Sequence, residues 1–110
     1  MSVEPKDFKS FVAKLNDEDI TSNEPHVTMR CEENNISLQE VKNALLGRGG
    51  LELIRIVEDR QKVYKLYYRL NKKSELKIII DLFTHNKVNV RTVKRLVNKY
   101  KLGSIKRRRF

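Results

Sequence analysis

The sequence predicts an α+β domain in which N-terminal helices pack on a four-stranded antiparallel sheet, with a basic amphipathic helix at the C-terminus. Apolar residues recur at helical spacing before the glycine-rich residues 47–50, alternate at strand spacing over residues 51–91, and return to helical spacing from Thr92. The 110 residues suit one domain with a modest core, which we place at residues 1–103, followed by a basic tail at residues 104–110.

Three helices are predicted before the glycines. Residues 5–16 carry apolar side chains at positions i, i+3, i+4 and i+7, and their proline is tolerated in a first turn. Residues 17–25 are polar and predict a connector, and residues 26–34 predict a short second helix. At the third helix Ser37 is a suitable N-cap, and Glu40 three residues later completes a capping box.

The middle of the chain predicts an antiparallel meander, because short polar turns separate its runs of strand-forming residues. In the second run, tyrosine and leucine expected to face the core alternate with exposed cations. The four predicted strands are residues 51–57, 62–70, 75–83 and 87–91. From Thr92 the apolar residues return to helical spacing with basic residues between them, which predicts the last helix, and Gly103 is suited to end it.

The charge of the chain is strongly segregated. Residues 1–50 carry six basic and nine acidic residues, net −3, whereas residues 51–110 carry eighteen and five, net +13. From Leu82 onward there are ten basic residues and no acidic one, which equals the net charge of +10 of the whole chain. Such a field attracts polyanions and holds them by releasing condensed counterions, so nucleic acid is the predicted partner.

Other classes of protein are disfavoured by composition. No apolar run approaches the roughly 18 residues that span a bilayer, and the first residues do not read as a signal peptide, so we expect no membrane partner. Cys31 is the only cysteine, which excludes an intrachain disulfide and favours the reducing cytoplasm. No metal-ligand spacing is present, and we expect neither metal nor cofactor. The sequence leaves the oligomeric state open.

Strand alternation places cations and a tyrosine together on the exposed sheet face. Phosphates pair with cations and a base can stack on a ring, so this face suits single-stranded RNA better than DNA. A merely solvated face is the alternative, since antiparallel sheets normally have one. The predicted contacts on the sheet are Lys65, Tyr67, Arg69, Lys77, Lys87, Asn89 and Arg91. Those on the last helix and tail are Lys94, Arg95, Lys99, Lys106, Arg107, Arg108 and Arg109.

Four short motifs follow one another along the chain. They are His26-x3-Arg30, Ile36-Ser37-x-x-Glu40-Val41, the Tyr- and Arg-rich run at residues 63–69, and Val90-Arg-Thr92. With them, residues 26–93 resemble a widespread family of small, functionally uncharacterised bacterial and archaeal domains. The resemblance implies a fold like that of RelE-type and barnase-like ribonuclease toxins, in which RNA takes the sheet face opposite the helices.

The resemblance also implies candidates for catalysis. His26 and Arg30, one helical turn apart, would act in a metal-independent endoribonuclease, assisted by Arg69, Tyr67 and Thr92. Histidine titrates near neutral pH and arginine stabilises phosphate charge, which suits this chemistry. Strict strand alternation points Thr92 inward, away from the RNA face. In the alternative role, Thr92 caps the last helix. In the alternative without catalysis, His26 and Arg30 fix the helix start and pair with nearby glutamates.

Two further alternatives remain open. One is a protein-interaction module, a toxin-like domain held by an acidic antitoxin-like protein. The other is a DNA-binding helix-turn-helix formed by residues 26–34 and 37–46. Its second helix exposes little positive charge, which is unfavourable for the major groove. The exposed residues there are Gln39, Glu40, Lys42 and Asn43.

Overall fold

The structure, a computed structural model, describes residues 2–3, 5–83 and 87–97. Within these residues the chain forms three α-helices and a six-stranded mixed sheet. The helices are α1 (Pro5–Val12), α2 (His26–Glu33) and α3 (Leu38–Leu45). The strands are β1 (Ser2–Val3), β2 (Ile20–Ser22), β3 (Glu52–Arg60), β4 (Val63–Asn71), β5 (Ser74–Phe83) and β6 (Lys87–Val97).

The strands lie side by side in the order β1-β3-β4-β5-β6-β2. Strands β3 to β6 form the antiparallel meander, and β2 pairs in parallel with β6 at the far edge. The protein is therefore α+β, but the predicted four-stranded antiparallel sheet is wrong. Strand β2 lies within residues 17–25, predicted as a connector. It has only three residues and β1 only two, which is too short for an alternating pattern to be recognised.

The predicted C-terminal helix is wrong over residues 92–97, because these residues continue strand β6. Val93, Leu96 and Val97 have helical spacing, but β5 supplies a pairing partner along the whole of this stretch. Cross-strand pairing therefore takes precedence over the local pattern. Residues 98–110, which include the rest of the predicted helix and the predicted tail, lie outside the described residues.

A β-bulge explains the misleading spacing. The register of β6 against β5 shifts so that Val90 and Thr92 face consecutive residues of β5, which leaves Arg91 as the extra residue. Val90 and Val93 are consequently both buried, and a spacing of three is typical of a helix. Thr92, predicted to point inward, instead lies on the opposite face of the sheet.

All three helices pack against one face of the sheet. Helix α1 buries Phe8 and Val12, α2 buries Val27 and Cys31, and α3 contributes a valine, an alanine and a leucine. The sheet residues they meet are Leu53, Ile56, Leu66, Tyr68, Leu76, Ile78, Ile80, Val88, Val90 and Val93. The alternate residues of the same strands form the other side, which we call the open face.

The start of α3 confirms the predicted capping box. The backbone N–H of Glu40 donates to Ser37 Oγ at 3.0 Å, and the N–H of Ser37 donates to Glu40 Oε1 at 2.9 Å. Gly47 follows the helix in the left-handed region at φ +77°, where glycine carries no steric penalty.

Asn34 joins the end of α2 to the edge of β6. Its Oδ1 accepts from the backbone N–H of Arg95 at 2.8 Å, and its Nδ2 donates to the carbonyl of Val93 at 3.4 Å. Nδ2 also donates to the carbonyl of Arg30 at 2.7 Å, at the end of the helix. Because β2 pairs only with residues 88–90 of β6, the Asn34 amide takes the place of a neighbouring strand further along this edge.

We expect Asn34→Ala to lower the free energy of unfolding by about 1–2 kcal/mol, because backbone groups of β6 lose their partners. Urea denaturation measures the change. The control is Asn35→Gly. Asn35 has φ 56°, a conformation that glycine adopts freely, so this variant should stay within about 0.5 kcal/mol of wild type. Equal stability of Asn34→Ala and wild type would contradict the assigned role.

Candidate nucleic-acid interface

The open face carries four positions that pair directly from strand to strand. Arg55 on β3 faces Tyr67 on β4, Tyr67 faces Lys77 on β5, and Lys77 faces Lys94 on β6. Each is followed or preceded by a buried core residue on its own strand, so its side chain stands on the open face. We call these four residues the cationic row.

Lys77, a member of the cationic row, has unfavourable electrostatic surroundings. It lies directly opposite Lys94, and like charges in that arrangement destabilise a strand pair. Partial burial, followed by the charges of Lys65 and Lys94, lowers the pKa of Lys77 below its ordinary 10.5, with Asp59 acting weakly in the other direction. Among the described residues, Lys77 and Lys94 form no ion pair with a carboxylate. The row therefore carries unbalanced positive charge.

The Arg55 side chain covers part of the Tyr67 ring. The Cζ atom of Arg55 lies 3.9 Å from the ring centroid, so the guanidinium covers one face of the tyrosine. Arg55 Nη2 also lies 3.6 Å from Oε1 of Glu75, which is buried on β5. Sequence reasoning missed Arg55 as a site residue. A register shift makes Ile54 an extra residue of β3, and strict alternation from the buried Leu53 would have turned Arg55 towards the core.

His26, the first residue of α2, lies next to the row. Its Nε2 is 3.1 Å from Oγ1 of Thr92, which is two residues before Lys94 on the same face of β6. The pair borders an open cleft of about 460 Å³, the His26 cleft. Its lining residues are Asn23, His26, Asp59, Arg60, Val63, Ile79, Arg91 and Thr92. The cleft thus lies about 7 Å along β6 from the cationic row.

The position of His26 depends on the turn before it. The carboxylate of Glu24 accepts hydrogen bonds from the backbone N–H and the hydroxyl of Thr28 and from the hydroxyl of Ser22. The hydrogen bonds from Ser22 and Thr28 lower the pKa of the Glu24 carboxyl below its ordinary value. An ionised Glu24 therefore ties the first turn of α2 to β2.

Four of the predicted site residues form ion pairs within the protein, and one of them, Lys65, lies on β4 two residues before Tyr67 on the open face. Arg30 lies on α2 outside the residues that line the His26 cleft, whereas Arg91 lines it. The pairs are Arg30–Glu33 at 3.1 Å, Lys65–Asp59 at 3.6 Å, Arg69–Glu52 at 3.5 Å and Arg91–Asp81 at 3.4 Å. All three arginines are at least one-third exposed, and such pairs contribute little to stability, so a phosphate can compete for them.

Two other predicted contacts are used inside the fold. Asn89 is buried; it donates to Asn23 Oδ1 and accepts from Thr21 Oγ1, both at 2.8 Å, which holds β2 against β6. Arg95 donates through Nε to the carbonyl of Asn34 at 3.2 Å, at the end of α2. Their geometry therefore directs both side chains to the protein rather than to a ligand.

The remaining predicted contacts lie at or beyond the end of the described sheet. Lys87 is exposed at the first residue of β6, opposite Phe83. Lys99 and residues 106–109 lie outside the described residues.

In the part of the chain that is described, no group of three or more His, Cys, Asp or Glu side chains is placed to hold a metal ion. None of the helices there combines the length and apolarity needed to span a membrane.

Comparison with protein-family models, curated proteins and solved structures gives no match to this chain. The resemblance to ribonuclease toxins therefore stays a prediction, as do the acidic antitoxin-like partner and the helix-turn-helix. On α3, the second helix of that motif, Gln39 already donates to Asp17 and Asn43 at 3.2 and 3.1 Å.

We expect Lys77→Gln to raise the free energy of unfolding by about 0.2–1 kcal/mol at neutral pH and low salt, because it removes the charge facing Lys94. The lowered pKa means that protonated Lys77 opposes folding, and that this penalty disappears as the pH rises through the folded-state pKa towards 10.5. The advantage of the variant should therefore shrink with rising pH and with added salt.

Urea denaturation of wild type and variant at several pH values and salt concentrations measures this difference. The control is Lys72→Gln, in the exposed turn between β4 and β5, which should change stability by less than about 0.5 kcal/mol. A Lys77→Gln protein less stable than wild type at neutral pH and low salt would show that the charge is balanced in the folded protein.

Proposed function

We propose that this protein binds single-stranded RNA on its open face, through the cationic row and the His26 cleft, and that it does so in the cytoplasm. The observation that carries the proposal is the direct pairing of Lys77 with Lys94 without a carboxylate to balance them among the described residues. On a face that contacts only solvent, Lys77 and Lys94 repel each other, whereas a phosphate bound between them attracts both ammonium groups.

Single-stranded RNA fits this face better than a duplex. Bases of a single strand are free to stack on planar side chains while phosphates contact lysines, and a sheet supplies both in one plane. Thr92 and His26 offer hydrogen-bonding groups at the end of the row, where a ribose 2′-hydroxyl could bind, and DNA lacks that group. Residues 98–110 add six basic residues and no acidic one to the sequence that follows β6.

Salt dependence tests the proposal quantitatively. For single strands, the logarithm of affinity should fall with the logarithm of salt concentration at a slope of about −0.7 per phosphate contacted. The triple variant Lys65→Gln, Lys77→Gln and Lys94→Gln should bind RNA more weakly and reduce the slope by about 2, since about three contacts are removed. Fluorescence anisotropy with a labelled RNA at several salt concentrations measures both quantities.

A second triple variant is the matched control, with glutamine at Lys9, Lys14 and Lys42 on the helical side. It removes the same formal charge and should leave the slope nearly unchanged. Equal effects of the two triple variants would mean that binding depends on the net charge of the chain and not on the open face. A salt-independent affinity, or no binding at low salt, would refute the proposal.

The contact between His26 and Thr92 favours a second candidate, a metal-independent endoribonuclease. In such a reaction His26 takes the proton of a ribose 2′-hydroxyl, and the oxygen attacks the adjacent phosphorus. The P–O5′ bond then breaks, leaving a 2′,3′-cyclic phosphate; the 5′-oxygen takes a proton from water, and His26 returns its proton to the hydroxide that this leaves. Arg60 and Arg91, rather than Arg30, line the cleft and are suited to stabilise the phosphate charge.

For this enzyme, His26→Ala should lower the cleavage rate by at least about 100-fold while changing RNA affinity only about two- to threefold. Cleavage should continue in a chelator. Gel analysis of single-stranded, structured and ribosome-bound RNA provides the measurement. If the concentrated wild-type protein cuts none of these substrates, the enzymatic candidate is excluded and RNA binding alone remains.

A further inference from the structure

Two contacts orient the Arg55 side chain on the open face. Its guanidinium lies on the ring of Tyr67, with 3.9 Å between Cζ and the ring centroid, and its Nη2 lies 3.6 Å from the carboxylate of Glu75. The ring supports one face of the guanidinium and the carboxylate holds one edge. The Arg55 side chain nevertheless remains 45% exposed, so part of its surface stays accessible to a ligand.

We propose that the guanidinium of Arg55 is a stacking platform for one base of the bound RNA, with Tyr67 beneath it as support. This inference rests on the proposed RNA binding and assigns a specificity-determining residue to the same face. Arginine planes stack on bases as aromatic rings do, and arginine is suited to stacking through its flat, delocalised and weakly hydrated cation. The base, the guanidinium and the tyrosine ring would form one continuous stack.

Neighbouring residues of the cationic row match this arrangement. Tyr67 faces Lys77 on β5, and Lys77 faces Lys94 on β6. A base over β3 and β4 therefore has its phosphate within reach of the lysines on β5 and β6. The RNA strand would lie with its bases towards Arg55 and its backbone towards Lys94. Lysine cannot replace arginine in the stack, because an ammonium group has no plane.

Prior ordering of Arg55 favours binding. A free arginine loses side-chain rotamer entropy when a ligand orders it, and the contacts of Arg55 with Tyr67 and Glu75 reduce this loss. Glu75 is 5% exposed, and removing the Arg55 charge would leave this buried carboxylate with one fewer cation. The informative substitution is therefore Arg55→Lys, which keeps the charge and removes the planar group.

The experiment is a titration with two labelled RNAs of about ten nucleotides, within the site sizes usual for single-strand binders. One RNA carries all its bases and the other carries abasic residues, so the two differ in stacking and not in phosphates. Wild type should bind the intact RNA about tenfold more tightly than the abasic RNA. Arg55→Lys should bind the intact RNA about tenfold more weakly than wild type does and discriminate between the two RNAs less than about twofold.

The control is Arg48→Lys, which changes an exposed arginine that pairs with Asp17 away from the sheet and should keep both wild-type affinities. Thermal unfolding of every variant in the binding buffer shows whether each is folded at the titration temperature.

Each result has a defined consequence. If wild type binds both RNAs equally, or if Arg55→Lys keeps the wild-type discrimination, the stacking role of Arg55 is overturned while RNA binding stands. If wild type binds neither RNA at low salt, the proposed function fails and the inference falls with it.

Discussion

The β-bulge at Arg91 determines which residues of β6 reach the open face. Without the extra residue, simple alternation would turn Thr92 and Lys94 towards the core, where a charged side chain is costly to bury. With it, a valine takes the core position and the two polar residues face outward. Thr92 then lies beside His26, and Lys94 lies opposite Lys77. Both halves of the candidate site depend on this one irregularity of the strand.

The fold separates the basic residues of the chain into groups with different uses. Arg95 holds the end of α2, and Arg69 and Arg91 pair with carboxylates. Lys77 and Lys94 have no such ion pair among the described residues, and their positions on neighbouring strands keep them together. Composition shows only the sum of these charges. The distribution of these charges over the fold decides which of them remain available to a ligand.

Local signals predicted the parts of the fold that depend on local interactions. Ser37 and Glu40 cap α3 as the motif requires, and the alternation in β4 placed its exposed residues correctly on one face. Non-local features were missed. Strand β2 forms by pairing with the edge of β6. Residues 92–97 pair with β5 although their apolar residues have helical spacing. Arg55 contacts a ring on β4 and a carboxylate on β5. No short window of sequence contains those partners.

An RNA titration followed by NMR tests the central claim, that the open face binds RNA. At low ionic strength, the largest amide and side-chain shifts should fall on the cationic row, with the His26 ring responding at its end. Residues on the exposed sides of α1 and α3 should remain unchanged, because they lie across the sheet from the ligand. Shifts confined to those helices, or a spectrum that RNA does not alter, would contradict the account.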